Sequence, residues 1–166
     1  IVATSSTTGA AEPLFSVDGG EKNSEEIKRT ITLAKNASTN ALDFKMTYEG
    51  ESDETIAGDA GSVINADASI HAVITDAGSN ASKIYKNGTE VAEGTIANDA
   101  NIEFLPIGHP SNEMASLAIG GVNDTDGVPT GAWNGGIYEV LIFNKTLDLT
   151  ERTELTSHLK SKYSIT

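Results

Sequence analysis

Cysteine is absent from the 166-residue sequence, so neither a disulfide framework nor thiolate chemistry is available to it. Basic residues are also few: 11 lysines and arginines stand against 24 acidic residues, which gives a formal net charge of -13. A surface with that charge repels phosphate backbones and anionic lipid headgroups over most approaches. The composition therefore argues against nucleic acid as a partner.

Aromatic residues make up only 5% of the chain, too few for an extended platform on which a crystalline polysaccharide could stack. Long apolar runs are missing as well, so the sequence predicts no membrane insertion and shows no signal peptide. The first residue is Ile1 rather than methionine, and we expect the chain to be part of a longer parent protein.

Turn-forming residues are abundant, with 16 glycines, and they separate short segments in which apolar and polar residues alternate. The clearest is ALDFKMTYEG, in which Leu42, Phe44, Met46 and Tyr48 share one face, as in a half-buried strand. The pattern predicts one all-β domain over 1–166, an antiparallel β-sandwich of the jelly-roll type. Further strand candidates are PLFSV, RTITLA, SVIN, SIHAVITD, SKIYKN, TEVAEG, IEFLPIG, SLAIGG and GIYEVLIFNK.

Two short sequence motifs predict particular local structures, a hairpin turn and a helix start. The pair Asn87 and Gly88, between SKIYK and TEVAEG, suits the two positive-φ positions of a type I′ hairpin turn. Asp148 followed three residues later by Glu151 is a capping box, which predicts a C-terminal helix over about 149–163. A stripe along this helix would pack against the sandwich; its residues are Leu155, Leu159 and Tyr163.

The segment GIYEVLIFNK, residues 136–145, is apolar on both faces. This pattern predicts a central strand that is buried on both sides. Tyr138 in this strand and Tyr85 in SKIYKN are accordingly expected to build the core.

Two stretches together resemble the laminin-G-like, concanavalin A-like lectin and glucanase jelly rolls. They are SIHAVITDAGSNASKIYKNGTEVAEG and LAIGGVNDTDGVPTGAWNGGIYEVLIFNKTLDLTERTELTSHLKSKYSI. The resemblance implies a concanavalin A-like sandwich with a short C-terminal helix. It also implies that further strands of the fold belong before Ile1. Without them a sheet edge would need covering by an upstream segment, a partner chain or a rearranged N-terminus.

Catalytic signatures are missing from the predicted strands. Glucanases of this fold need two carboxylates on one strand, but Leu141 and Phe143 occupy the positions two and four residues after Glu139. The histidines fall in no metal or nucleophile signature, and His71 is expected to be a packed or hydrogen-bonded strand residue. We therefore predict no enzyme activity and place a glycoside-active enzyme third among the functions considered.

The long loop GGVNDTDGVPTGAWNGG, residues 120–136, is the best candidate for a functional site, because loops on a rigid sandwich often carry function. Asn123, Asp124 and Asp126 could bind a ligand, and the two carboxylates could begin a calcium site. An ordinary Asx-rich turn is the commoner arrangement of such residues. Trp133, the only tryptophan, could stack on a sugar ring or cover the sheet end.

The leading hypothesis is a non-catalytic, lectin-like recognition module that binds a glycan or a surface partner through its rim loops, with calcium as a candidate cofactor. The alternative is a structural domain of a virion or an adhesin that packs into a homo-oligomer or a larger assembly. Both predict a location outside the cell, at a cell surface or on a virion. Fold similarity alone does not separate them.

Overall fold

The computed structural model describes residues 1–6, 9–18, 29–48, 54–59, 61, 63–76, 81–95, 116–123 and 129–166. These residues form antiparallel strands and one helix, α1 (Leu149–Tyr163). The strands are β1 (Val2–Ala3), β2 (Glu12–Asp18), β3 (Arg29–Lys35), β4 (Leu42–Tyr48), β5 (Glu54–Ile56), β6 (Ser69–Asp76), β7 (Ala81–Lys86), β8 (Thr89–Thr95), β9 (Ser116–Ile119), β10 (Val122–Asn123), β11 (Pro129–Thr130) and β12 (Ile137–Glu139).

Two five-stranded sheets make the sandwich that the alternating pattern predicts. One, which we call the helix-side sheet, has the order β12-β1-β6-β7-β8, and the other, the opposite sheet, has the order β5-β4-β3-β2-β9. The main core cluster lies between them and includes Ala3 and Ile84 from the first and Phe15 and Phe44 from the second. A two-stranded ribbon, β10-β11, forms a third, separate unit.

Strand β4 shows why alternation predicts this fold. Leu42, Phe44 and Met46 are all buried, and in the register with β3 Phe44 faces Leu33. Lys45, on the other face, is half-exposed. The predicted inward face is thus confirmed for these three residues, while the side chain of Tyr48 lies outside the described part of the chain.

The hairpin between β7 and β8 is also confirmed. Lys86 pairs with Thr89, so the loop has two residues, and Asn87 and Gly88 have φ angles of 52° and 88°, as a type I′ turn requires. The turn is tied to β6, because the backbone nitrogen of Ile70 donates to Asn87 Oδ1 at 2.9 Å.

Helix α1 begins and ends where the sequence predicts. The backbone nitrogen of Glu151 donates to Asp148 Oδ1 at 2.9 Å, and that of Asp148 donates to Glu151 Oε2 at 3.0 Å, which completes the capping box. Leu159 is buried in a second core cluster on the outer face of the helix-side sheet. Its neighbours there include Val2, Ile70, Leu155 and Tyr163.

The prediction of a central strand over 136–145 is wrong. Only Ile137–Glu139 forms a strand, and Leu141, Ile142 and Phe143 are 38%, 46% and 44% exposed. The reason is the short pairing partner: β12 pairs only with the two residues of β1, so residues 140–144 have no neighbouring strand within the described residues.

The expectation that both tyrosines build the core is also wrong, because both side chains lie on the outer face of the helix-side sheet. Tyr138 is 53% exposed, and its ring lies 5.8 Å from that of Tyr163 on the helix. Tyr85 is half-buried and belongs to neither core cluster.

Two smaller strand predictions have different outcomes. SVIN contributes an isolated bridge between Val63 and Ala41 instead of a strand. IEFLPIG lies outside the described residues. The described helix does not have the length and apolar character needed to cross a bilayer.

Candidate functional site

The loop over 120–136 is described only at its two ends. Asn123 lies in β10 and pairs with Pro129 of β11, so a short ribbon forms the base of the loop. Asp124 and Asp126 lie outside the described residues, as does the side chain of Asn123. Calcium binding there stays a prediction. Among the residues that are described, no three acidic or histidine side chains converge as metal ligands would.

Trp133 anchors the far end of the same loop. Its indole nitrogen donates to the Thr4 carbonyl at 3.0 Å, and its backbone nitrogen donates to the Gly120 carbonyl at 3.0 Å. The half-buried ring packs against the main core cluster. This geometry favours the interpretation in which Trp133 covers the end of the sheets, because its polar group is already used within the fold.

A buried polar cluster that sequence reasoning missed lies beside Trp133. Lys35 Nζ is 2.9 Å from Glu12 Oε2 and donates to Ser5 Oγ at 2.8 Å, and both charged side chains are almost fully buried. Lys35 Nζ also lies 5.9 Å from the centroid of the Trp133 ring. The alternation in RTITLAK could have predicted the burial of Lys35, because residues two apart on a strand share a face and Lys35 follows Ile31 and Leu33 on the inward face.

His71 is a structural residue, as predicted from its place in a strand. It is buried, and its Nε2 lies 2.8 Å from Ser69 Oγ. Burial is the main cause that lowers the pKa of His71 to about 3, and the nearby charges of the Ile1 ammonium and Lys86 contribute in the same direction. The imidazole is therefore neutral at physiological pH, and its Nδ1 has no hydrogen-bond partner among the described residues.

Tyr85, Arg152, Lys83 and Glu90 form a polar group on the outer face of the helix-side sheet, which we call the tyrosine–arginine patch. Strand β7 turns Lys83 and Tyr85 outward because Ile84, between them, is buried in the core. The first turn of α1 brings Arg152 over the same face. Its guanidinium lies 4.8 Å from the Tyr85 ring centroid, and Nη1 donates to the Tyr85 hydroxyl at 3.0 Å.

The charges of this patch are organised around Glu90. Lys83 Nζ donates to Glu90 Oε2 at 3.0 Å, and this bond is the main cause of a lowered Glu90 pKa and a raised Lys83 pKa. The Tyr85 hydroxyl also donates to Glu90, at 3.3 Å. Arg152, by contrast, has no carboxylate within ion-pair distance among the described residues, so its guanidinium keeps donors for another group.

A cleft of about 670 Å³ connects this patch with the interior of the sandwich. Tyr85 and Arg152 line its outer part, and Phe15, Ile31 and Val73 line the part between the sheets. Its size falls in the range of roughly 300–1,000 Å³ that is usual for ligand pockets.

No family model matches the chain, and no curated protein matches it. Solved structures do. The CBM40 module of the Ruminococcus gnavus IT-sialidase bound to α2,3-sialyllactose has a TM-score of 0.71 at 18% identity, covering 94% of this chain and 79% of that chain. The chain has the β-sandwich fold of this module.

Two further structures of the same CBM40 module give the same result. The α2,6-sialyllactose complex has a TM-score of 0.69 at 17% identity, covering 94% of this chain and 80% of that chain. A further structure of the module has a TM-score of 0.68 at 18% identity, covering 94% of this chain and 79% of that chain. The likeness confirms the predicted β-sandwich, whereas the narrower assignment to laminin-G-like or concanavalin A-like domains stays a prediction.

Proposed function

We propose that this protein is a non-catalytic glycan-recognition module that works outside the cell or at its surface. The CBM40 module that shares its fold has been solved bound to α2,3- and α2,6-sialyllactose, glycans with a carboxylate group. The tyrosine–arginine patch is the observation that carries the proposal. It combines an aromatic ring, a guanidinium that pairs with no carboxylate of the described residues, and a carboxylate acceptor, which together suit a sugar ring, an acidic group and hydroxyls.

An acidic glycan would have to be held by local contacts. The net charge of -13 repels an anion at long range, so electrostatic steering cannot raise the rate of association. Arg152 is suited to the task because a planar guanidinium can donate two parallel hydrogen bonds to one carboxylate. We therefore expect weak binding whose strength depends on Arg152.

The described carboxylates also support a non-catalytic role. A glycosidase needs one carboxyl group with a raised pKa to donate a proton. In this structure the pKa values of Glu90 and Glu139 are shifted in the other direction, chiefly by hydrogen bonds from Lys83 and Lys162.

The experiment is calorimetric titration with 3′-sialyllactose and with lactose. Arg152→Gln should weaken binding of sialyllactose about tenfold or more, because a charge-assisted hydrogen bond contributes roughly 1.5–3 kcal/mol. Lys162→Gln is the matched control, since it removes one positive charge from α1 at a site that contacts Glu139 instead of the patch. Equal affinities in all three proteins, or no binding of any ligand on a glycan array, would contradict the proposal.

The rim loop remains a second candidate location for the same function. Asn123, Asp124, Asp126 and Trp133 would bind the glycan there, with calcium held by the two aspartates. Thermal melting with calcium and with EDTA tests this directly. A stabilisation by calcium that is lost in the double variant Asp124→Asn, Asp126→Ala would place the site in the loop, whereas identical melting curves would remove calcium from the proposal.

Assembly into an oligomer is the alternative function, and one surface favours it. Leu117 and Ile119 lie on β9, the last strand of the opposite sheet among the described residues, and are 47% and 53% exposed. Exposed apolar side chains on a sheet edge are typical of surfaces that pair with another chain. Light scattering across a range of concentrations would show a fixed oligomer that Leu117→Lys disrupts if this surface is an interface.

A further inference from the structure

Strand β12 contains a bulge that turns two consecutive side chains to the same side. In the register with β1, Ile137 faces Ala3 and Glu139 faces Val2, so Tyr138 is an extra residue without a partner on β1. Side chains alternate between the two faces of a regular strand, and Glu139 would then point inward with Ile137. The bulge instead places Glu139 on the outer face of the helix-side sheet, opposite Val2 of the second core cluster.

Tyr138 lies on the same outer face, and two neighbours determine the position of its ring. The Tyr163 ring of α1 lies 5.8 Å away, centroid to centroid, at an interplanar angle of 45°. A Cβ on Gly136 would lie 2.9 Å from Tyr138 Cζ, so the ring uses space that only a glycine leaves free. The side chain of Tyr138 is nevertheless 53% exposed and belongs to neither core cluster. Core packing therefore does not account for the position of this ring.

Glu139 is held beside the two rings through one of its oxygens. Lys162 Nζ donates to Glu139 Oε2 at 3.1 Å, and the Tyr163 hydroxyl donates to the same oxygen at 2.9 Å. The bond from Lys162 is the main cause that lowers the pKa of Glu139, and the bond from Tyr163 adds to it, so the carboxyl group is ionised at neutral pH. The second oxygen, Oε1, accepts no hydrogen bond from any residue that the structure describes. It is a fixed, charged acceptor for a hydroxyl group.

These side chains form what we call the tyrosine-pair surface, made of Tyr138, Glu139, Lys162 and Tyr163. The surface carries no net charge, because the Lys162 ammonium balances the Glu139 carboxylate. An anionic ligand would gain little there, and an apolar ligand would cover Glu139 Oε1 without giving it a partner. A neutral sugar suits both parts, since the CH face of a pyranose ring can cover an aromatic ring while its hydroxyls donate to the carboxylate.

The tyrosine-pair surface is distinct from the tyrosine–arginine patch. Tyr85 lies on β7, three strands away from β12 in the helix-side sheet, which corresponds to about 14 Å at roughly 4.8 Å per strand. Along α1, Arg152 and Tyr163 are 11 positions apart, which corresponds to about 16 Å at roughly 1.5 Å per residue. The two distances agree, so the surfaces lie towards opposite ends of the helix on the same face of the sheet.

We propose that the tyrosine-pair surface is a second binding site, which takes a neutral pyranose residue of a glycan. Tyr138 supplies the ring on which the sugar stacks, and Glu139 Oε1 accepts hydrogen bonds from its hydroxyls. Lys162 and Tyr163 are positioning residues, because they hold the carboxylate through its other oxygen. The bulge makes the site possible, since a regular strand would offer only one of the two neighbouring side chains to the same ligand. The site extends the proposed glycan recognition, but its contacts do not involve Arg152.

The test is a titration of the 166-residue chain with lactose, a neutral disaccharide, followed by nuclear magnetic resonance. Lactose should shift the amide resonances of Tyr138 and Glu139. Tyr138→Ala should weaken lactose binding about tenfold or more, because the stacking ring is lost. Glu139→Gln should weaken it about fivefold, because a neutral acceptor replaces a charged one. Gly136→Ala should also weaken it, since the added Cβ displaces the ring while both binding side chains are kept.

Phe143→Ala is the matched control, because Phe143 is another exposed aromatic residue, 44% exposed, that lies outside the tyrosine-pair surface. The proposal is overturned if Tyr138→Ala and Gly136→Ala bind lactose as tightly as the Phe143→Ala control. It is also overturned if Arg152→Gln weakens lactose binding as much as Tyr138→Ala does, which would assign lactose to the tyrosine–arginine patch. If 3′-sialyllactose binds through Arg152 but lactose shifts no resonance of the tyrosine-pair surface, only the second site is refuted. If neither sugar binds, the proposed function is refuted with it.

Discussion

Replacing His71 with glutamine should remove a large part of the acid sensitivity of this fold. His71 is buried and hydrogen-bonded to Ser69, and its pKa is lowered from 6.5 to about 3, first by burial and then by the charges of the Ile1 ammonium and Lys86. The folded protein thus holds this imidazole neutral, whereas the unfolded chain protonates it as the pH falls below 6.5.

The sign of the effect follows from that difference. Because the folded pKa lies below the unfolded one, the unfolded state binds the proton first, and the free energy of unfolding falls as the pH drops from 6.5 toward 3. One pKa unit corresponds to about 1.4 kcal/mol, so the loss between pH 6.5 and 5 is about 2 kcal/mol. His71 contributes no pH dependence above about pH 7.5, where its imidazole is neutral in the unfolded chain as well.

Urea unfolding at pH 7.5, 6.5, 5.5 and 5.0 measures the effect. The pKa of the Ile1 ammonium, lowered from 8.0 to about 6, adds a loss of the same sign mainly between pH 8 and 6, so both proteins should be acetylated at Ile1 before comparison. We expect the parent protein to lose about 2 kcal/mol between pH 6.5 and 5 and His71→Gln to lose much less. Parallel curves for the two proteins would refute the assignment of this acid sensitivity to His71.

Three further changes test the packing. Lys35→Met should lower the free energy of unfolding in urea by about 3–5 kcal/mol, because it leaves Glu12 buried without its cation. The double variant with Glu12→Leu should lose less than the single one. A loss below about 1 kcal/mol in the single variant would contradict the buried pair. Asp148→Ala should cost about 1 kcal/mol and lower the helical circular dichroism signal, as loss of a capping box requires. Gly135→Ala should cost about 1–3 kcal/mol, since the added Cβ would collide with the Thr4 carbonyl, and an unchanged melting curve would show that this turn is not tightly packed.

The parts of the fold that could be predicted from the sequence are those whose cause is local. The face of β4 follows from the alternation of Leu42, Phe44 and Met46. The hairpin follows from the tolerance of Asn87 and Gly88 for positive φ. The start of α1 follows from the spacing of Asp148 and Glu151, because a capping box involves only neighbouring residues.

The candidate site could not be predicted because its parts are distant in the sequence. Arg152 reaches Tyr85 across 67 positions, and nothing in SKIYKN or in the helix indicates that they meet. The buried pair Glu12 and Lys35 depends in the same way on the register of β2 with β3. The failed strand over 136–145 is the converse case: its apolar pattern is real, but a strand also needs a neighbour, and in the described part of the chain only two residues of β1 provide one.

The cleft and the tyrosine–arginine patch are connected through one segment. Residues 140–147 border the cleft and lead directly into Asp148, the residue that caps α1 and so sets the position of Arg152 above Tyr85. A guanidinium that is held in place before a ligand arrives lowers the entropy that binding must offset. The surface that we propose for glycan recognition is therefore expected to depend on the packing of a segment that lies outside the patch itself.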